Sequence, residues 1–256
     1  MYTEIRQNSI QARTNIIKHE GTPFLLCDWL DFVLVHYEVD AKALQNTVPF
    51  ELDLFEEKAY VSLVAFTLEN FSFAQNGMVQ SLAMMPIRTH RYFNVRTYIK
   101  HRHYRSIYFI KEWISNQLCA IIGSKLYGLP CEHGRLDYSH QWAEGLLQGE
   151  VMGRAQKARY QYQIHRDSTQ EIGHVKAHSL EEFLFERYMA VVEKNGVRKY
   201  FRIWHEAWRQ ATVEIREVND HLIPMLGHWG ENLKPVKAHY SPGVYGVWMG
   251  KPLTLE

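Results

Sequence analysis

Three polar side chains alternate along one segment of the chain and could together recognise an anion. Asn94, Arg96 and Tyr98 are spaced by two residues, so in a β-strand all three point to one face. Val95, Thr97 and Ile99 point to the other face, which is more apolar. If that face packs against helices, Arg96 points towards the interior of the protein. A buried guanidinium needs a carboxylate partner or an anionic ligand. Two interpretations stay open: an internal Arg–Glu pair, or a guanidinium that binds a carboxylate or phosphate.

A second group of reactive side chains follows a predicted helix that ends at Gly128 and Pro130. Cys131, Glu132 and His133 are a thiol, a carboxylate and an imidazole, which carry nucleophilic and acid–base chemistry. Neighbours in an extended chain alternate in direction, so Cys131 and His133 are the pair that could act together. All three are candidate catalytic residues. The alternative is a loop with a small buried cysteine.

Further candidates lie in the C-terminal part of the chain. His205 lies in IWHEAW, and His239 and Tyr240 lie in AHYSPG. These three could line a pocket, although hydrogen-bonded core histidines are the alternative. Arg187 and Tyr188 follow a predicted helix start and could turn inward, against the alternative of a helix-surface ion pair. All five are predicted ligand-binding residues, as are the three alternating side chains.

The composition excludes several classes of protein. The chain has 256 residues, of which 46% are hydrophobic and 22% charged, so it is neither disordered, collagen-like nor a coiled coil. Its net charge of +1 argues against a nucleic-acid partner or an anionic membrane surface. Three widely spaced cysteines without a CxxC pair indicate a reducing compartment and no zinc site. No apolar run approaches the length of a membrane span, so we expect a cytoplasmic protein.

Alternating hydrophobicity predicts about ten strands and a few short helices. The strands are expected at 32–39, 58–68, 92–100, 106–113, 135–143, 146–152, 157–166, 197–205, 208–218 and 237–249. A capping box at Ser179 to Glu182 opens a helix whose apolar stripe continues to Val192. The predicted fold class is α+β with mostly antiparallel β-sheet. No linker divides the chain, so we expect an N-terminal extension, residues 1–23, and one domain, residues 24–256.

Several motifs, in this order and spacing, resemble one known family. They are LVHYEVDAKALQNTVPFELDLFEEKAYVSLVAFTL, the strand from Asn94 to Tyr98, SIYFIKEW, Tyr127-Gly-Leu-Pro130, HSLEEFLFERY at 178–188, His205 with Trp208, and His239-Tyr240-Ser241. Together they resemble the YqjF-like family of uncharacterised bacterial proteins over roughly residues 24–250. That family belongs to the acetoacetate decarboxylase-like superfamily. The resemblance implies a curved sheet closed into a barrel or cone around an internal pocket, with a few flanking helices.

The resemblance also locates a missing residue. Decarboxylases of the superfamily place a Schiff-base lysine directly after a Gly-aromatic-Pro element that ends a helix. Here Cys131 and Glu132 follow Pro130, so that lysine is absent and Schiff-base decarboxylation is not expected. Lys111, which by strict alternation shares a strand face with Phe109, is a substitute amine, or else a lysine that extends to solvent.

Two functions remain after these exclusions. The first is an enzyme, lyase- or hydrolase-like, that acts on a small oxo- or carboxylate-bearing metabolite without a Schiff base. The alternative is a non-catalytic small-molecule-binding module that kept the pocket. In both cases we expect an anionic small-molecule ligand. No cofactor, metal, nucleic acid or membrane partner is expected, and a homo-oligomer is left open.

Overall fold

The computed structural model describes residues 22–75, 84–101, 104–153, 158–167 and 169–255. The predicted extension therefore lies outside the described residues, apart from its last two positions. Fourteen strands in the described part form one sheet. In chain order they are β1 Leu25–Val39, β2 Ala59–Phe73, β3 His90–His101, β4 Tyr104–Ile114, β5 Cys131–His133, β6 Arg135–Gln141, β7 Leu146–Met152, β8 Arg159–Arg166, β9 Gly173–His174, β10 Met189–Lys194, β11 Val197–Trp204, β12 Arg209–Asp220, β13 Pro235–Met249 and β14 Leu253–Thr254.

Short helices connect some of these strands. They are α1 Ala41–Gln45, α2 Gln117–Ile122 and α3 Leu180–Phe185. Asp40, Asn116 and Ser179 cap them, since each side-chain oxygen accepts a hydrogen bond from a backbone N–H of the first turn. A π-helical turn prolongs α2 to Tyr127, where Gly128 ends it with a φ of 78°, a conformation that glycine adopts without strain. No helix in the described ranges is long and apolar enough to span a membrane.

The helix that begins after Ser179 is shorter than its apolar stripe predicts. It ends at Phe185, and the chain continues as β10. Val191 and Val192 belong to that strand, where they pair with β11. Their β-branched side chains favour an extended backbone over a helix. The cap at Ser179 is thus confirmed. Glu182 accepts its hydrogen bond from the backbone N–H of His178 and not from that of Ser179, and the continuation of the helix to Val192 is wrong.

Seven strands close into a ring. Their order is β11-β10-β4-β3-β2-β1-β13, and β13 returns to β11 through the pairs Ile203–Met249 and Trp204–Trp248. All neighbours in the ring are antiparallel except β10 and β4. The remaining long strands, β12-β8-β7-β6, extend from β13. This architecture confirms the predicted α+β class with a mostly antiparallel, ring-closing sheet.

The strands β1, β2 and β3 are covered on both faces. One face lies inside the ring and packs in a cluster with α3 and β11; it includes Phe32, Leu34, Val64, Phe66 and Tyr98. The opposite face includes Val33, Val35, Leu63 and Val95, and it packs against the strands that extend from β13, for example at Tyr160 of β8. Two buried faces explain the nearly continuous apolar runs of these strands. The interior of the ring is the space that can hold a site.

We predict that the described ranges unfold as one unit. The ring joins the first and last long strands of the described part, because Leu25 pairs with Met249 across β1 and β13. Limited proteolysis, followed by mass spectrometry, should therefore yield no stable half, and chemical denaturation should show one transition by both tryptophan fluorescence and circular dichroism. Two stable fragments from a cut near the middle of the chain would contradict this.

Candidate functional site

The ring encloses a cavity of about 100 Å³. A single water needs roughly 10–15 Å³ of such space, so the cavity accommodates a ligand of several non-hydrogen atoms. Aromatic and aliphatic side chains form most of its wall. The polar side chains that converge on it include Asn94, Arg96, Glu112, Arg187, His90 and His205. Few polar groups in an apolar concavity are typical of small-molecule sites.

The inward face of β3 supplies Asn94 and Arg96. An Nη atom of Arg96 donates a hydrogen bond to the carbonyl oxygen of Leu184 at 3.0 Å. Its Nε has no hydrogen-bond partner, and neither has Oδ1 of Asn94. Among the described residues, no carboxylate forms an ion pair with Arg96. The described structure therefore provides no internal Arg–Glu pair, one of the two interpretations left open by the sequence.

Glu112 faces the cavity because β4 carries one extra residue. Val95 pairs with Lys111, and Arg96 pairs with Phe109, so Ile110 bulges between them. The bulge reverses the alternation of β4 beyond that point. Glu112 therefore turns inward, and the sequence prediction that placed Lys111 on the face of Phe109 is wrong.

The carboxyl group of Glu112 is buried, and its desolvation is only partly compensated. Its residue is 0% exposed, and neither carboxyl oxygen has a hydrogen-bond partner of standard geometry. Burial raises the pKa of Glu112 to about 8, and the neighbouring Tyr92 hydroxyl offsets only part of that effect. At neutral pH the group is protonated for most of the time, so it can donate a hydrogen bond or a proton.

Arg187 enters the wall from the segment after α3. It is nearly fully buried, and one Nη atom forms an ion pair with Asp53 at 2.7 Å. Arg105 binds the same carboxylate oxygen at 2.9 Å, so one carboxylate serves two guanidinium groups. Nε of Arg187 donates to the carbonyl oxygen of Phe183 at 2.7 Å, whereas its second Nη atom has no partner. The neighbouring Tyr188 does not line the cavity; its hydroxyl bonds to Glu186.

Two histidines complete the polar part of the wall. Nδ1 of His90 lies 3.1 Å from the carbonyl oxygen of Ile87, which can only accept, so Nδ1 carries the proton and Nε2 keeps a lone pair. Burial lowers the pKa of His90 to about 4, which keeps the ring neutral at pH 7. His205 stacks on Tyr188 at 4.5 Å between ring centroids and also lines the cavity.

A hydrogen-bonded row crosses the sheet beside the cavity. Tyr98, Ser62, His36 and His239 come from β3, β2, β1 and β13, and the row ends at Glu181 in α3. We call this set the polar ladder. The Tyr98 hydroxyl is 2.6 Å from the Ser62 hydroxyl, which is 2.6 Å from Nδ1 of His36. Nε2 of His36 is 3.0 Å from Nδ1 of His239, whose Nε2 is 3.6 Å from Glu181.

The charge of Glu181 favours one order of protons in the polar ladder. The interactions with His239 and Lys237 hold the pKa of Glu181 well below its usual range, although burial opposes them. At 3.6 Å, Nε2 of His239 is too far from this carboxylate for a standard hydrogen bond, but the negative charge favours a proton on Nε2 over one on Nδ1. With the proton on Nε2, His239 accepts from His36 at Nδ1. His36 must then accept from Ser62, and Ser62 from Tyr98. Burial lowers the pKa of His36 well below its usual value, which agrees with a neutral ring.

The three candidate catalytic residues after the helix do not line the cavity. The Sγ–H of Cys131 donates to the carbonyl oxygen of Ala120 at 3.1 Å, and burial raises the pKa of Cys131 to about 12. A thiolate is therefore scarce at neutral pH. Glu132 accepts hydrogen bonds from Lys111 at 3.0 Å and Trp113 at 2.6 Å on the outer side of β4. His133 pairs through its backbone with β4.

The expected position of Tyr240 is also corrected. Its ring stacks on Trp142 at 4.5 Å between centroids, and its hydroxyl donates to Asp31 at 3.2 Å. Both contacts lie on the outer face of the ring, in the cluster packed against the strands that extend from β13, and not at the cavity. Consecutive residues of β13 point to opposite faces, so Tyr240 points away from the cavity. His239, its neighbour, belongs to the inner face as a member of the polar ladder. The structure thus brings Asn94, Arg96, Arg187 and His205 together at the cavity.

Three solved structures with a similar fold are very distant in sequence from this chain. One is an acetoacetate decarboxylase from Legionella pneumophila, with a TM-score of 0.62 and 10% identity over 100% of this chain and 98% of that one. Another is an acetoacetate decarboxylase-like enzyme from Sphingomonas wittichii RW1, with a TM-score of 0.61 and 15% identity over 92% and 94% of the two chains. The enduracididine biosynthesis enzyme MppR, complexed with pyruvate, gives a TM-score of 0.59 and 12% identity, with 93% of each chain covered. At such identities the likeness concerns the fold alone.

The family is established separately. None of the curated proteins matches the sequence. A family model described as an uncharacterized conserved protein, DUF2071, matches residues 27–245, which include most of β1, of the cavity wall and of β13. The resemblance seen in the sequence is thereby confirmed: the chain belongs to DUF2071, the YqjF-like family, and has an acetoacetate decarboxylase-like fold.

Proposed function

We propose that the cavity binds a small oxo acid and that the protein moves protons to and from it. The observation that carries this proposal is the set of polar atoms in the wall that lack a partner. They are Oδ1 of Asn94, Nε of Arg96, both carboxyl oxygens of Glu112 and one Nη of Arg187. A buried polar group without a hydrogen bond costs about 1–3 kcal/mol. A polar ligand would satisfy several of them at once.

Each polar group has a distinct role in this proposal. Arg96 binds the ligand carboxylate, because its planar guanidinium suits two parallel hydrogen bonds and its charge is otherwise unpaired. Glu112, protonated at neutral pH, donates to the oxo oxygen. Nε2 of His90 accepts a proton from the carbon next to the oxo group. The C–H bond breaks as its electron pair forms the enol double bond, and the oxo oxygen takes the proton of Glu112.

The proposal involves no Schiff base. No described residue that lines the cavity is a lysine. Lys111, on the outer side of β4, is engaged by Glu132 at 3.0 Å. The binding of pyruvate by MppR, which shares the fold, supports a small oxo acid as ligand class. Activation of the carbonyl here would come from the proton of Glu112 and the charge of Arg96.

A non-catalytic binding module is the second candidate function. The apolar character of most of the wall favours it, since an apolar cavity without a nucleophile can hold a ligand and leave it unchanged. The two functions share the binding step and differ in proton transfer. Proton exchange on a bound oxo acid therefore separates them.

We predict that Arg96→Met weakens anion binding and leaves the fold intact. The guanidinium donates one hydrogen bond, to Leu184, and a charged hydrogen bond to the ligand contributes about 1.5–3 kcal/mol. Calorimetric titration with pyruvate should show affinity reduced by roughly tenfold to a hundredfold, with an unchanged melting temperature. Arg91→Met is the matched control, because Arg91 pairs with Asp137 at the start of the same strand. A large loss of stability without any effect on binding would assign Arg96 to the scaffold.

We predict that Glu112→Gln keeps pyruvate binding and stops proton exchange. In D₂O, the wild-type protein should catalyse deuterium incorporation into the pyruvate methyl group, measured by proton NMR. The amide cannot supply the proton, so the exchange rate should fall by about 10²–10⁴-fold. Glu51→Gln, at a carboxylate with a 74% exposed side chain, should change nothing.

The same reaction has an expected pH profile. Glu112 must be protonated, so exchange should decline above about pH 8, and His90 must be neutral, so it should decline below about pH 4. Pyruvate that binds to the wild-type protein without any catalysed exchange would favour the binding module.

A further inference from the structure

Two guanidinium groups share one wall of the cavity. The central carbon of Arg187 lies 4.9 Å from the ring centroid of Tyr98, and that of Arg96 lies 5.9 Å from the same centroid. Both residues line the cavity. The wall formed by β3 and the segment after α3 therefore carries two positive charges around one aromatic ring.

Negative charge in this wall only partly offsets these cations. Asp53 is shared between Arg187 and Arg105, and Arg96 has no ion pair with a described carboxylate. Glu186 lies next to Arg187 in the chain, but its oxygens accept hydrogen bonds from the Trp208 backbone and the Tyr188 hydroxyl.

Glu112 contributes no negative charge to the wall at neutral pH. It is the one carboxylic acid among the described lining residues, and it remains mostly protonated there. Burial lowers the pKa of Arg187 only to about 10, so that group stays charged. The cavity thus has an excess of positive charge.

Each guanidinium also keeps a buried donor atom that is unused. These are Nε of Arg96 and an Nη of Arg187, both removed from solvent and both without a hydrogen-bond partner. The remaining donors that bind protein atoms go to the carbonyls of Leu184 and Phe183 and to Asp53. Two separate cations that both keep unused donors can receive two separate anionic groups.

We propose that the ligand is dianionic, a small oxo-dicarboxylate or a compound with the same two charges. This inference rests on the proposed function and specifies its substrate class. One carboxylate binds Arg96, the second binds Arg187, and the oxo group between them faces Glu112. Desolvated ion pairs with two guanidinium groups would give such a ligand a clear advantage over a monocarboxylate.

A pair of probes with the same carbon skeleton tests the inference. Succinate and butyrate have four carbons each, and succinate carries the second carboxylate. We expect calorimetric titration of the wild-type protein at fixed ionic strength to show at least tenfold tighter binding of succinate, about 1.4 kcal/mol. Arg187→Met should remove this preference and leave butyrate affinity nearly unchanged.

Arg105→Met is the matched control for that variant. Arg105 binds the same oxygen of Asp53 at 2.9 Å, but it is not among the residues that line the cavity. If Arg187 only anchors Asp53, the two variants should behave alike. If Arg187 binds the second carboxylate, Arg105→Met should retain most of the succinate preference. Equal loss in both variants overturns the inference.

The wild-type titrations decide the question even if Arg187→Met fails to fold. Equal affinities for succinate and butyrate show a site for one carboxylate, which overturns the dianionic ligand and leaves the proposed function standing. Binding of neither probe, nor of pyruvate, contradicts the proposed function itself. A succinate preference that survives Arg187→Met in a folded protein shows that another group receives the second charge, and this also overturns the inference.

Discussion

Exclusion of water from the ring interior is the constraint on which the other features depend. Closure of seven strands removes bulk solvent from the side chains that line the cavity. Each ionisable group there must therefore form an ion pair, become neutral or remain unpaired until a ligand binds. Arg187 pairs with Asp53, Glu112 holds its proton, and Arg96 keeps an unpartnered Nε. These three solutions lie around one small cavity. The chemistry proposed for the protein is a direct result of that common desolvation.

The candidate site shows how far simple strand alternation reaches. In β3 the spacing of Asn94 and Arg96 is sufficient to place both side chains on the inner face, since that strand has no extra residue. In β4 the same rule fails at Ile110, where the bulge exchanges the two faces. A single bulge leaves no clear trace in composition, so Glu112 was not among the residues expected from the sequence. The position of this glutamate between Lys111 and the large apolar Trp113 was the one sequence feature that indicated a special role for it.

Contacts between residues that are far apart in the sequence were also not predictable from it. Ser62 and His36 are adjacent only because β1 and β2 pair in one register, and no local pattern encodes that contact. The fold class was more accessible, because aromatic and β-branched residues repeat over ten segments. The helix after Ser179 ends earlier than its apolar stripe predicts. Strand pairing of β10 with β11 and β4 stabilises the extended backbone there more than the stripe stabilises a helix.

The proteins with a similar fold include an acetoacetate decarboxylase and MppR, which was solved with pyruvate. In this chain, no described residue of the cavity wall is a lysine. A fold can keep its concave interior while its reactive group changes. In this chain a neutral acid, a neutral imidazole and two guanidinium groups occupy that interior. Such a set can polarise a carbonyl without forming a covalent bond to it.

The favoured order of protons in the polar ladder has an electrostatic consequence. Every O–H and N–H bond points from Tyr98 towards Glu181, so the bond dipoles add along the row. Their negative end lies at the oxygen of Tyr98, whose ring carries Arg187 and Arg96 on its surface. The negative charge of Glu181 thereby affects the electrostatic potential at Tyr98, four strands away. This field stabilises Arg96, which has no ion pair among the described residues, and it adds to the ion pair of Arg187 with Asp53. Both guanidinium groups thereby keep donors that a ligand in the ring can bind.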